Sequence, residues 1–111
     1  MTNRIDKVNS LLEHEISKII SRDFNFPNIL VTLTRVETTA NLIEARAYIS
    51  FLPDEKVSKI LETLNKGVYE VQKKINKIVN MRPVPKIIFV ADKTVSSASR
   101  IEEILNKLHN N

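Results

Sequence analysis

The sequence predicts an α+β fold, a three-stranded mixed sheet with helices packed on one face. Three patterns point there. Apolar residues recur at spacings of three and four over residues 4–22 and again over 57–79. The stretch LIEARAYISFL alternates apolar with polar, and a short apolar run, KIIFVAD, follows the second helical region. With 111 residues and 42% hydrophobic content, the chain suits a single domain over residues 1–111 that buries a core.

Taken in order, Ile5, Val8, Leu12, Ile16 and Ile19 form the apolar stripe of a first amphipathic helix, ended by Phe24-Asn25-Phe26-Pro27-Asn28. From Ile29, ILVTLTRVE is rich in β-branched residues and reads as a strand. Thr38-Thr39-Ala40-Asn41 supplies a turn. Beyond it Ile43, Ala45, Ala47, Ile49 and Phe51 share one face of a second strand, with Glu44, Arg46, Tyr48 and Ser50 on the other. So short a connection makes the pair antiparallel. Pro53 stops the strand and Asp54 is placed to cap the next helix, whose stripe is Val57, Ile60, Leu61 and Leu64. The stripe resumes after Gly67 at Val68, Val71, Ile75, Ile78 and Val79, until Pro83 and Pro85 end it, since neither can donate to a helix ladder. KIIFVAD is then a buried strand, and the two helices before it leave room for a crossover. Ser99-Arg100-Ile101-Glu102 has the form of a capping box and opens a short C-terminal helix. The order is α-β-β-α-α-β-α.

Composition narrows the function. The chain has no cysteine, which rules out disulfides and thiolate metal sites. No apolar run approaches the roughly 20 residues of a membrane span, and the N-terminus carries no signal-peptide core. These features predict a soluble cytoplasmic protein with no membrane partner, and nothing in the sequence demands more than a monomer. A net charge of +4 and a pI near 9.5 favour polyanionic partners.

Candidate catalytic groups fall away one by one. His14-Glu15 begins a zinc-protease helix motif, but Lys18 stands where the second histidine should be. One glycine cannot make a dinucleotide or P-loop phosphate cradle. Glu13 and Glu15 are two apart on a helix and point in different directions, and Glu102-Glu103 belongs to helix capping. The expectation is a non-enzyme without cofactor or metal. Tyr48 and Tyr69 could each stack on a base, but two tyrosines and no tryptophan do not suggest a sheet surface built for stacking.

Charge distribution is more telling than charge total. Between Lys66 and Lys86 lie six Lys or Arg residues and one acid, Glu70, a sum of +5 in a chain of +4. On a helical projection Lys66, Lys73 and Lys77 lie opposite the apolar stripe, Lys74 lies to one side, and Arg82 and Lys86 continue the charge. A charged helix face is ordinarily just a solvated one. Here nearly every sign is the same, and like charges at helical spacing repel unless a phosphate backbone offsets them. Gly67, the one glycine, reads either as a C-cap joining two ordinary helices or as a kink that admits close backbone approach to a ligand.

Three segments in order, RIDKVNSLLEHEISKII, ILVTLTRVETTANLIEARAYISFL and MRPVPKIIFVADKTVSSASRIEEIL, resemble the bacterial ribosome-binding factor A family. The strand pair and the Arg82, Pro85, Phe89 segment are the most specific parts. The resemblance covers essentially the whole chain. It implies a KH-like (type II) RNA-binding domain, α-β-β-α-α-β, in agreement with the order read from periodicity. It also implies a non-enzymatic assembly factor that binds free 30S subunits and assists late maturation of 16S rRNA, including in the cold. A ribosome-associated GTPase that releases it is the implied partner. In the family an Ala-x-Gly kink joins the two middle helices. Here Gly67-Val68-Tyr69 falls at that place, and Gln72 replaces a frequent arginine.

The expected RNA-binding residues are therefore Lys66, Gly67, Lys73, Lys74, Lys77 and Arg82, with Arg4 and Lys7 on the first helix as secondary candidates. Two other readings compete: a protein–protein interaction scaffold docking through a sheet edge or the last helix, and a general single-stranded RNA binder.

Overall fold

The computed structural model describes residues 4–52 and 57–93. The Asp54 cap and the helix predicted from Ser99 lie outside the described residues. Within them the chain runs α1 (Arg4–Asp23), β1 (Leu30–Thr38), β2 (Glu44–Leu52), α2 (Val57–Lys66), α3 (Val68–Ile78) and β3 (Lys86–Ala91). The strands form one open sheet in the order β1-β2-β3, with β1 antiparallel and β3 parallel to β2. The predicted α+β class and mixed sheet are thus observed. No helix among the described residues is long and apolar enough to cross a membrane.

The helices cover one face of the sheet. Val8, Leu12, Ile16, Ile19 and Ile20 of α1 bury against Ala45, Ala47, Ile49 and Phe51 of β2, Ile87 and Phe89 of β3, and the α2–α3 stripe of Ile60, Leu64, Val71 and Ile75. Removing each such aliphatic or aromatic side chain from water contributes about 1.5–3 kcal/mol. Alanines at 45 and 47 leave room for α1 to approach the sheet closely. Ile43, expected on the inner face of β2, is exposed because it precedes the strand, in the turn. That turn is tied by the Thr39 hydroxyl, which accepts from the N–H of Ile43 and of Glu44, while Leu42 takes a left-handed φ of 61°. Ile78 is also exposed, since the buried stripe passes from Ile75 directly to Val79.

On the uncovered face, β1 slips register between Leu33 and Arg35, a bulge that accommodates Thr34 as an extra residue. The buried carboxylate of Asp92, just past β3, accepts from the Thr34 hydroxyl at 2.5 Å and from the Arg35 guanidinium at 3.1 Å. Arg35 also bonds Glu37 and lies 3.9 Å over the ring of Tyr48, whose hydroxyl donates to Glu37. Burial works against the charge on Arg35, but the Glu37 bond and the Asp92 and Glu37 carboxylates outweigh it and raise its pKa. Tyr48 is thereby committed to the fold.

Side chains from the helices close much of both sheet edges. On β3, the Asn65 amide donates to the carbonyl of Phe89 and accepts from its N–H, both at 3.2 Å. Gln72 likewise donates to the Pro85 carbonyl at 3.1 Å and accepts from the Ile87 N–H at 2.9 Å. These amides stand in for a neighbouring strand. On β1, Glu13 accepts from the Val36 N–H at 3.1 Å and Asn9 from the Thr38 N–H at 3.0 Å. Unpaired edge groups otherwise invite association with other chains.

Candidate nucleic-acid interface

The site is built around the junction of α2 and α3. Helical bonding persists through it, from the Gly67 N–H to the Thr63 carbonyl and from the Val71 N–H to the Gly67 carbonyl. Gly67 has φ −88° and ψ 0°, a right-handed conformation open to any residue, so backbone geometry does not demand glycine. Packing does. A Cβ at this position would meet Cζ of Phe24 at 2.9 Å and Cε1 at 3.0 Å. The chain leaving α1 lays the Phe24 ring, stacked parallel to Phe26 at 6.1 Å, on the bare face of the glycine. The close approach expected at Gly67 is therefore made, on this side, by an aromatic ring of the protein itself.

Among the described residues no side chain caps α3, whose first-turn N–H groups, those of Val68, Tyr69 and Glu70, stand at the positive end of the helix dipole. Lys66 ends α2 immediately before them, and Lys73 and Lys77 follow one and two turns later on the outward face. Lys66 pairs with Glu62 at 3.0 Å and Lys73 with Glu70 at 3.9 Å; all four side chains are more than half exposed, so these pairs are worth little. Lys77 has no ion pair among the described residues. Tyr69 is 69% exposed at the same end, with the Lys73 ammonium 5.5 Å from its ring centroid.

The other expected cations are engaged. Lys74 turns away from this face and bonds the carboxylate of Asp23 at the end of α1. That bond holds the Asp23 carboxyl below its ordinary range. Arg82 folds back on the end of α3 and donates to the carbonyls of Met81 at 2.6 Å and of Val79 and Asn76 at 3.3 Å. There it satisfies carbonyls that the helix end leaves open, and its charge suits the negative end of the dipole. Beside it an open groove of about 610 Å³ runs between Gln72 and Asn76 of α3 and the Pro83, Val84 and Lys86 segment, with Lys86 exposed at its rim. Arg4 and Lys7 stand exposed on the start of α1, a separate element.

The structure thus gathers Lys66, Lys73 and Lys77 with the start of α3, and sets Lys74 and Arg82 to holding the helices in place. Tyr69 stood out in the sequence only as one of two tyrosines able to stack on a base, and the first-turn amides of α3 had no mark there beyond their closeness to the glycine.

Comparison with known proteins places the chain in a family. The profile of the family described as ribosome-binding factor A matches residues 4–105. A ribosome-binding factor A of Akkermansia muciniphila is 36% identical over 108 residues, spanning 97% of this chain and 84% of that protein. The crystal structure of ribosome-binding factor A from Thermus thermophilus superposes with a TM-score of 0.67 at 17% identity, covering 78% of this chain and 93% of that one. A homology model of the Thermus thermophilus factor, fitted into a cryo-EM map of its complex with 30S, superposes with a TM-score of 0.64 at 17% identity. It covers 77% of this chain and 91% of that one. With a profile match along nearly its whole length and a relative above 30% identity, the chain belongs to the ribosome-binding factor A family.

Proposed function

We propose that the protein is a non-enzymatic assembly factor that binds the free small ribosomal subunit through phosphate contacts and assists late maturation of 16S rRNA. Lys66, Lys73 and Lys77 and the first-turn N–H groups of α3 hold the RNA backbone, with Gly67 shaping the junction between them. Tyr69 offers its exposed ring to a base. Lys74 and Arg82 keep α3 in register with α1 and with the loop before β3. Arg4 and Lys7 add charge on α1. The protein acts in the cytoplasm as a monomer. Its release by a ribosome-associated GTPase is what the family resemblance implies.

One observation carries this reading. Uncapped helix amides meet a run of outward lysines whose acidic partners are weak, a combination suited to phosphate. Family membership and the Thermus factor's complex with 30S point to the same class of partner.

The test is co-sedimentation with immature small subunits over a range of salt. Changing Lys73 and Lys77 together to Glu is expected to weaken association and to flatten the salt dependence. The logarithmic slope should fall by about 0.7 for each single-strand phosphate that is no longer neutralised. Unchanged co-sedimentation of this variant at physiological salt would remove the face from the mechanism. Equal affinity for unrelated oligonucleotides would point instead to a general single-strand binder.

A further inference from the structure

The groove at the end of α3 stands out for the groups it leaves uncommitted. Its lining, Gln72, Asn76, Arg82, Pro83, Val84 and Lys86, holds two cations and no acid. Lys86, the first residue of β3, has no ion pair among the described residues. Arg82 meets only carbonyls there. Its bonds to Asn76, Val79 and Met81 use three of the five N–H donors of a guanidinium, and Nε–H is not among those used. Carbonyls carry no formal charge, so the positive charge of Arg82 is not neutralised.

The neutral side chains divide the remaining work. Gln72 is fully occupied, bonding Asn76 and the start of β3 through both ends of its amide. Asn76 accepts from Gln72 at 3.1 Å and keeps its own amide hydrogens for another partner. Pro83 and Val84 supply an apolar wall. At about 610 Å³ the groove falls within the range of roughly 300–1,000 Å³ common to sites for one small ligand. Two cations without a carboxylate, set beside an apolar wall, suit a ligand that joins an anion to a flat apolar body. A nucleotide is such a unit. A bare phosphate or a string of carboxylates would satisfy the cations and leave Pro83 and Val84 in water.

We infer that the groove receives one unpaired nucleotide of an RNA strand, with its phosphate between Arg82 and Lys86 and its base against Pro83 and Val84. Asn76 donates to the ribose hydroxyls. Contact through a ring face is blind to sequence, since every base has one. Lys73 and Lys77 adjoin Gln72 and Asn76 along α3, so a strand tracked by those lysines passes the mouth of the groove. The inference rests on the RNA reading of α3 for the class of partner and adds a nucleotide pocket to it.

The test titrates the full chain with hexauridylate and follows the side-chain NMR signals of Val84, in the groove, and Lys73, on the outward face. Both are expected to shift together. An abasic hexamer with the same phosphates is expected to move Lys73, leave Val84 in place and bind about tenfold more weakly. Lys86→Glu is expected to lose about tenfold in hexauridylate affinity with an unchanged urea midpoint. Lys18→Glu, the same charge change on α1, is expected to lose less than about twofold. Shifts at Lys73 with Val84 unmoved would overturn the inference and leave the RNA reading of the lysine face standing. Shifts at Val84 alone would do the reverse, and silence at both would remove both. The inference also fails if the abasic chain or capped hexaglutamate moves Val84 as hexauridylate does, or if Lys86→Glu binds as the wild type does.

Discussion

Gly67→Ala tests the packing account of the junction. Since φ and ψ at Gly67 are right-handed, alanine adopts them without strain, and its lower unfolded-state entropy favours folding by about 0.4–1 kcal/mol. Against this, the new Cβ would sit 2.9 Å from Phe24 Cζ, about 0.6 Å inside the 3.5–4.0 Å range of good carbon contacts. The nearest atoms are the far edge of a half-buried ring, so the ring can swing aside. Its displacement and the loosened packing on Phe26 cost about 0.5–1.5 kcal/mol. The two effects nearly cancel, and Gly67→Ala alone is expected to lie between neutral and about 1 kcal/mol destabilising. In a Phe24→Ala background the obstructing atoms are gone, and the same change is expected to stabilise by about 0.4–1 kcal/mol. Urea unfolding of the four proteins, at constant m-value, measures the coupling. Agreement of the two Gly67→Ala effects within about 0.3 kcal/mol would refute the idea that Phe24 dictates the glycine.

Other consequences follow from the polar contacts. Asn65→Leu leaves the N–H and carbonyl of Phe89 without partners and is expected to cost about 1–3 kcal/mol in urea unfolding. Gln72→Leu should act similarly through Pro85 and Ile87, with faster amide exchange at Ile87 as the local sign. The depressed pKa of Asp23 fixes the sign of a pH effect. A carboxylate that binds its proton more weakly in the folded state adds stability above the ordinary carboxylate range, and that stability is lost as pH falls through the folded value. Acid titration of stability should therefore be shallower in Asp23→Asn than in the wild type, and equal curves would show that the Lys74 contact does not persist in solution.

Much of the architecture was open to reading because it rests on local periodicity. The stripe Val8, Leu12, Ile16, Ile19 and the alternation Ala45, Ala47, Ile49, Phe51 are both buried as their spacing requires. Features that rest on distant partners were not legible. The bulge at Thr34 is held by Asp92, and Lys74 finds Asp23 on α1. A helical projection places Lys74 beside Lys73 and Lys77 but says nothing of the carboxylate waiting across the helix pair. Gln72 looked like the loss of a cation, whereas its amide is a β3 partner. The sequence did hold one overlooked trace of that role: Asn65 and Gln72 are seven residues apart, two helical turns, on the side of the helices that faces β3.

The amides of Asn65 and Gln72 also bear on what kind of reader this protein can be. A strand border with vacant main-chain groups can interrogate nucleobases by pairing with their edges, and this border is already spoken for at Phe89, Pro85 and Ile87. On the face proposed to bind RNA, discrimination would then fall to where phosphates lie in space, since lysines and helix amides recognise a path rather than a text. Such a protein should tolerate base exchanges in its target that preserve the path of the strand, and lose its hold when that path is bent. Paired subunit fragments differing only in nucleobase identity should bind alike, and a large preference between them would contradict this view.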